Sequence, residues 1–358
     1  MAQPRVAVDT EANSLYAYYH KVCLIQLSVP GADYLVDPLA FAHLEPLAAL
    51  FADPGIEKVF HAAENDVLLL KRDHGFHFAH LFDTMIAARI LGWPGVGLAT
   101  LLQEHFGVQL DKRMQRTDWG KRPLTAEQMA YARLDTYYLL SLRDRIHCDL
   151  VARRRWDEAQ DTFDALPQIE FIEKPFDPEG FWRINNARDL SGRQLAVLRE
   201  MYLFREECAR RVDIPPFKVL NDHVLITLSE RQPTNRDLLR SISGLSPIAR
   251  DRFGADLLQA VRRGQSAPIP TALHRPQNGN ARPDEATLVR YEALRAWRVQ
   301  QAAERGVDTD VILTNETLMR IARENPRSLD DLARLDHLSP WKLQTYGPVL
   351  LAILSTSN

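Results

Sequence analysis

Leu220-Asn221-Asp222-His223-Val224-Leu225 returns 93 residues later as Leu313-Thr314-Asn315-Glu316-Thr317-Leu318. The same offset carries Phe204-Arg205 onto Trp297-Arg298, Pro233 onto Pro326, Asp237 onto Asp330, and Leu245-Ser246-Pro247 onto Leu338-Ser339-Pro340. One register held over five islands marks a duplicated structural unit. Each copy reads as a long first helix, a loop, and several short helices bounded by Asn-Pro or Ser-Pro signals. The copies span 191–264 and 285–358. Residues 265–284, with Pro268, Pro270, Pro276 and Pro283, read as a Pro-rich linker.

The first 165 residues have a different texture. Val6–Thr10, Val22–Val29, Tyr34–Val36 and the brief Val59-Phe60 read as strands, being short, β-branched or aromatic and bounded by turn residues. His43–Phe51, Glu64–His74, Thr84–Leu91, Leu98–Phe106 and a long Thr125–Ile146 read as helices, with Gly75, Gly92 and Gly107 as stops. Strands followed by interleaved helices predict an α/β or α+β sheet domain over 1–165. A connector at 166–190 then leads into the helical copies.

Charge and cysteine content narrow the functional classes. The net charge is −3, so no global attraction to nucleic acid exists. Residues 1–165 carry 17 basic and 22 acidic side chains, whereas 166–280 carry 17 and 14, so a polyanion finds its better partner in the middle of the chain. Cys23, Cys148 and Cys208 are far apart and match no CxxC spacing. A disulfide framework and a Cys-based zinc site are both excluded, and a reducing cytoplasm is expected. Neither a membrane span nor a secretory signal is expected, because Arg5-Val6-Ala7-Val8 gives way at once to Asp9.

Three acidic features invite chemistry. Asp9 and Glu11 sit two apart on the first strand, so both carboxylates face the same way. Two adjacent anions there are either a solvated acidic face or a site joined by something positive. Asp66 stands in the first turn of a helix, where an acid also favours the helix dipole. Tyr131 and Asp135, four apart on a helix, share a face and read equally as a surface pair.

Taken together and in this order, these residues resemble the tyrosine branch of the DEDD exonuclease superfamily. Cys23-Leu24-Ile25-Gln26-Leu27, Asp83-Thr84, Leu110-Asp111-Lys112, Arg116-Thr117-Asp118-Trp119 and Arg122-Pro123-Leu124 sharpen the resemblance to ribonuclease D. The duplicated module is similar to the helicase-and-RNase-D C-terminal domain. Two departures stand out: Ala12-Asn13-Ser14 replaces the Phe commonest in the family, which would contact the terminal nucleotide, and Glu64-Asn65 replaces a small-residue dipeptide.

The resemblance implies an α/β ribonuclease H-like exonuclease domain, a mixed sheet with helices, followed by two all-α helical-bundle domains. It implies a 3′–5′ exoribonuclease that releases nucleoside 5′-monophosphates with two divalent ions, Mg²⁺ or Mn²⁺, from tRNA precursors and other small structured RNAs. By the same resemblance Asp9 would bridge the ions, Glu11 and Asp135 would hold the one that activates water, Asp66 would hold the second, and Tyr131 would orient the water. Gln26, Arg116, Lys121 and Arg122 are the candidates for substrate contact, and Arg205, Arg210, Arg211, Arg295, Arg298 and Arg305 for phosphate contact on the copies. A 3′–5′ DNA exonuclease acting on single-stranded DNA and an inactive nucleic-acid-binding adaptor are the alternatives. No protein partner is inferred.

Overall fold

The computed structural model describes residues 3–41, 43–271, 283–335 and 338–356. Its five-stranded sheet has the order β3-β2-β1-β4-β5. β1 (Arg5–Ala12), β2 (Val22–Val29) and β3 (Ala32–Val36) form an antiparallel meander, and Gly31 at φ +87° makes the β2–β3 turn. After α1 (Glu45–Ala52), β4 (Glu57–Phe60) enters parallel to the opposite edge of β1. α2 (Glu64–His74) then leads to β5 (Leu81–Asp83), parallel to β4, and α3 (Thr84–Leu91) and α4 (Leu98–Phe106) follow. β1 is thus central, and its near-continuous run Val6-Ala7-Val8 is buried on both faces.

Two features differ from the sequence reading. β5 was not expected, since three residues are too few to display alternation. The long terminal helix is instead α5 (Ala126–Tyr137) and α6 (Leu139–Ala152), broken at Tyr138, followed by α7 (Trp156–Ala165). Apolar spacing runs unbroken through Tyr137-Tyr138-Leu139, so periodicity could not show the break. In the fold the Tyr138 ring packs against Phe106 at 5.4 Å.

The repeats obey the 93-residue offset helix by helix. α8 (Gly192–Val212), α9 (Pro216–Val219), α10 (Asp222–Arg231), α11 (Arg236–Arg240) and α12 (Pro247–Ser266) make the first copy. α13 (Glu285–Arg305), α14 (Thr309–Ile312), α15 (Asn315–Glu324), α16 (Leu329–Arg334) and α17 (Pro340–Thr356) make the second. Every helix of the second begins 93 residues after its counterpart. Buried arginines repeat too. Arg205 donates to the Leu220 carbonyl (3.2 Å) and Asp222 Oδ1 (2.6 Å), and Arg298 to the Leu313 carbonyl (2.8 Å) and Asn315 Oδ1 (2.8 Å). The expectation that these two bind phosphate is corrected: they are buried and staple each bundle's first helix to its third. Most of the expected linker, 272–282, lies outside the described residues, and α12 runs into its first positions.

The chain divides into two compact units. One comprises Met1–Ala12, Val22–Phe171 and Asn280–Asn358, and so joins the sheet domain to the second copy. The other comprises Asn13–Lys21 and Ile172–Gly279, the first copy with a short loop from the end of β1. In the first unit Arg305 pairs with the buried Glu158 carboxylate and with the Tyr346 hydroxyl. Arg89 forks onto Asp310 at 2.6 and 2.7 Å, and Arg155 donates to the Arg305 carbonyl at 2.7 Å. The backbones approach so closely that a Cβ on Gly92, at φ +75°, would lie 2.0 Å from the Gly306 carbonyl oxygen. Arg305 therefore belongs to packing, not to phosphate.

Removing one partner of a buried ion pair strands the other charge. Arg305→Ala should therefore destabilise the protein by about 3–5 kcal/mol in denaturant unfolding. Arg334→Ala, which removes an exposed pair with Asp331, should cost less than about 0.5 kcal/mol. Equal small losses would show that the Arg305 contact does not hold the second copy.

Candidate active site

The site forms where β1, α2 and α5 meet. β1 supplies Asp9 and Glu11 on one face and Thr10 between them, paired across the strand ladder with Gln26, Leu24 and Ile25 respectively. A register shift between Glu11 and Ala12 ends the regular pairing. Because β1 and β4 run parallel, the helix after β4 begins beside the end of β1 that carries the acids. That helix brings Asp66, whose Oδ1 accepts a hydrogen bond from the Thr10 hydroxyl.

α5 begins with a capping box in which Thr125 and Gln128 satisfy each other's backbone groups, fixing where its first turn starts. Tyr131 and Asp135 follow on one face. Ser28 and Thr136, their hydroxyl oxygens 2.7 Å apart, tie the helix to β2. Trp119, Cys23, Leu24 and Ala132 form a small buried cluster, and the Tyr131 ring packs on it with its centroid 6.1 Å from that of Trp119. Trp119 is thus a packed anchor for Tyr131 and not a base-stacking surface. Carboxylate oxygens of Asp9, Glu11 and Asp135 come within 4.8 Å of one another. Asp66 stands outside that trio but close enough to disfavour charge on Asp9 and Glu11.

The electrostatics show what the cluster lacks. Burial, then repulsion from Asp66, Asp135 and Glu11, holds the Asp9 carboxyl well above the ordinary carboxylate range. Burial, then Asp135 and Asp66, lifts Glu11 to about 9. Burial raises Asp135 to about 7 against a lowering hydrogen bond from Tyr131, and Asp66 to about 7 against the bond from Thr10. Tyr131 is likewise pushed up by burial and then by Asp135, Glu11 and Asp9. His61 cannot neutralise the acids, because burial lowers it to about 4 and Nδ1 lies 2.9 Å from the Thr84 hydroxyl. Four crowded carboxyls with oxygen donors only suit a hard divalent cation of the Mg²⁺ or Mn²⁺ class.

Other candidates fall differently. Gln26, opposite Asp9, is 0% exposed and neither of its amide atoms has a partner, so it lies sealed beside the acids and not on an open surface. Arg122 is held within the fold. Its guanidinium forks onto Asp37 at 2.6 and 2.7 Å and donates to the carbonyls of Trp119, Lys121 and Cys23, so its donors are committed to the fold. Arg116 and Lys121 are exposed. Two positioning groups escaped the sequence reading. Thr10 was hidden between the two acids. Asp83 stood in the sequence only as part of the Asp83-Thr84 motif, yet its carboxylate accepts from Met85 and Ile86 at the start of α3 and also from the Ala62 and Ala63 amides that open α2. It thereby holds Ala62 at φ +64° and fixes the approach to Asp66.

Comparison with known proteins is consistent along the whole chain. A family model described as 3′–5′ exonuclease matches residues 1–150, and one described as HRDC domain matches 194–261 and 287–354. Ribonuclease D of Jannaschia sp. is 34% identical over 99% of this chain and 90% of its own, and that of Nitrobacter hamburgensis 30% over 98% and 90%. Among solved structures, Escherichia coli RNase D, an exoribonuclease involved in structured RNA processing, aligns with a TM-score of 0.61 at 26% identity, covering 99% of this chain and 94% of that one. The catalytic core of RRP6 from Trypanosoma brucei aligns at 0.68 and 30%, covering 74% of each.

The acidic cluster makes a prediction about stability. Each carboxyl binds its proton more tightly folded than unfolded, so without a cation the cluster destabilises the fold increasingly as pH rises from the ordinary carboxyl range through about 7 and towards about 9. The Tm of chelator-treated protein should fall over that interval more than the Tm of Asp9→Asn. Added Mg²⁺ or Mn²⁺ should restore it, and by more at the alkaline end. Identical pH profiles for wild type and variant would show that the cluster carries no such strain.

Proposed function

The chain belongs to the ribonuclease D family and is a 3′–5′ exoribonuclease, and from that premise we propose that Asp9, Glu11, Asp66, Tyr131 and Asp135 hydrolyse RNA 3′ ends one nucleotide at a time with divalent metal ions. The observation that carries the reading is the convergence of Asp9, Glu11 and Asp135, from a strand and a helix far apart in sequence, on one point short of positive charge. Two cations held by the four carboxylates would supply a nucleophile at neutral pH and neutralise charge developing on the phosphoryl oxygens. Asp9, Glu11, Asp135 and Asp66 are the residues that would hold these ions.

The protein's own part is aim and rigidity. Tyr131 keeps its proton at neutral pH, since burial and the surrounding acids raise its affinity for it. Its hydroxyl therefore acts by hydrogen bonding and orients the attacking water; it does not remove a proton. Asp135 accepts from that hydroxyl and fixes its direction, while Trp119 backs the ring. The Thr10 hydroxyl bonds the Asp66 carboxylate, and Asp83 holds the Ala62-Ala63 turn that leads into its helix.

The substrates we propose are 3′ ends of tRNA precursors and other small structured RNAs, and the compartment is the cytoplasm. Similarity to an RNase D involved in structured RNA processing and the three free cysteines support these choices. Among the described residues no helix is long and apolar enough to cross a membrane. We further propose functional divisions at 1–165, 191–264 and 285–358, joined by 166–190 and 265–284.

The test is incubation of 5′-labelled single-stranded RNA and DNA oligomers with and without Mg²⁺. RNA should shorten stepwise from its 3′ end to nucleoside 5′-monophosphates only when metal is present, and faster than DNA. Asp9→Ala should abolish turnover at saturating RNA with the fold retained. Tyr131→Phe should lose roughly 10²–10³-fold in kcat with KM and metal affinity nearly constant. Chelator-resistant cleavage would overturn the metal assignment, and a wild-type rate for Tyr131→Phe the aiming role.

A further inference from the structure

The loop Asn13–Lys21 departs from the sheet domain at the end of β1, one residue beyond Glu11, and belongs to the unit of the first copy. Asn13, which is buried, clamps it shut. Its carbonyl accepts from Tyr16 and Ala17 at 2.8 and 2.9 Å, its amide donates to the Lys21 carbonyl, and its Oδ1 accepts from the Lys21 amide at 2.8 Å. The closed loop is pinned to the first copy. Tyr18 hydrogen-bonds Glu206, Arg210 Nε donates to the Tyr18 hydroxyl at 2.8 Å, and the Tyr19 amide donates to Asp213 at 2.9 Å. Lys218 Nζ sits 3.6 Å above the Tyr16 ring.

What this rigid scaffold displays is apolar. Tyr19 is 64% exposed, Phe217 beside Lys218 is 53% exposed, and Leu15 is 41% exposed. Tyr19 is braced edge-on by Tyr18, with centroids 4.9 Å apart. The equivalent position in the second copy shows what a packed version looks like: Phe217 corresponds by the 93-residue offset to Asp310, which is bound by Arg89. Exposed aromatic rings, braced from behind and interleaved with cations, are the chemistry that grips single-stranded nucleic acid through stacked bases and neutralised phosphates. Connectivity limits the distance: only four residues lie between Glu11 and Tyr16, so the chain joining their Cα atoms spans at most about 18 Å.

We propose that Tyr19, Phe217 and Lys218, with Tyr16 and Arg210 behind them, form a stacking subsite for the single-stranded RNA upstream of the bond being cleaved. This rests on the exoribonuclease reading and extends it to substrate grip. Where Ala12-Asn13-Ser14 replaces the family's aromatic, the aromatic surface of this chain stands a few residues further on.

The test uses the full chain with Mg²⁺ and single-stranded RNA oligomers of increasing length from a dinucleotide upward. For Tyr19→Ala/Phe217→Ala, the ratio of variant to wild-type KM should climb with length to roughly 5- to 100-fold. Tyr19→Trp should keep or tighten the grip, which a merely structural tyrosine would not. Lys218→Glu should flatten the salt dependence of KM for the longer oligomers. Both aromatic side chains are more exposed than buried, so far-UV circular dichroism melting should report wild-type folding. A KM ratio of one, or the same at every length, overturns the subsite while wild-type cleavage still stands. Absence of metal-dependent RNA cleavage by wild type overturns the underlying reading instead.

Discussion

Mutual repulsion among Asp9, Glu11, Asp66 and Asp135 is the constraint around which the sheet domain is organised. Nothing favours four carboxyls in one desolvated place, and the fold must hold them there against their own field. It does so with groups that cannot yield. β1 is central in the sheet: β4 holds its first half at Arg5–Ala7, and the β2 ladder holds the backbone under Asp9 and Glu11, so the two acids cannot recoil from each other. The Thr10 hydroxyl anchors Asp66, and a capping box, a hydroxyl tie to β2 and the Trp119 cluster fix α5. A buried site under electrostatic strain is where perturbed proton affinities and function coincide.

Asp83 shows how one buried carboxylate can serve two helices. Four backbone amides converge on it, two from the start of α3 and two from the turn into α2. Burial raises its proton affinity and those four bonds lower it, and its charge in turn adds to the forces that raise Asp66. It orders the turn whose Ala62 adopts a left-handed conformation, directly before the helix that carries Asp66.

Duplication supplied one bundle twice, and divergence gave its two faces different work. The arginine staple and the helix boundaries repeat at the same offset, because they serve each bundle's own core. The outer face did not persist. Arg305 and Trp341 of the second copy stand where the first has Val212 and Ile248, and Asp310 where it has Phe217. In the second copy that face is consumed by ion pairs to α3 and α7. In the first it meets the Asn13–Lys21 loop and leaves Ile248 and Phe217 in solvent. Salt-bridged Arg305 and stapled Arg205 and Arg298 show why counting arginines on a helix misjudges a nucleic-acid surface.

By itself the sequence determined everything that rests on local spacing. A period of two put Asp9 and Glu11 on one face, a spacing of four joined Tyr131 to Asp135, and a constant offset of 93 defined the two bundles before any contact was known. These are properties of the chain's short-range geometry, which tertiary packing does not change. Only the tertiary structure decided which polar groups were already engaged. Gln26 became a sealed amide, Arg122 a staple to three backbone carbonyls and the Asp37 carboxylate, and Asp83 a cap shared by two helices, because the surrounding groups come from distant strands and turns. It also decided the break at Tyr138 and the three-residue β5, where the local pattern carries no signal and a neighbouring ring or strand makes the choice. Spacing names the residues that can meet; burial and hydrogen bonding decide which of them have anything left to offer a substrate.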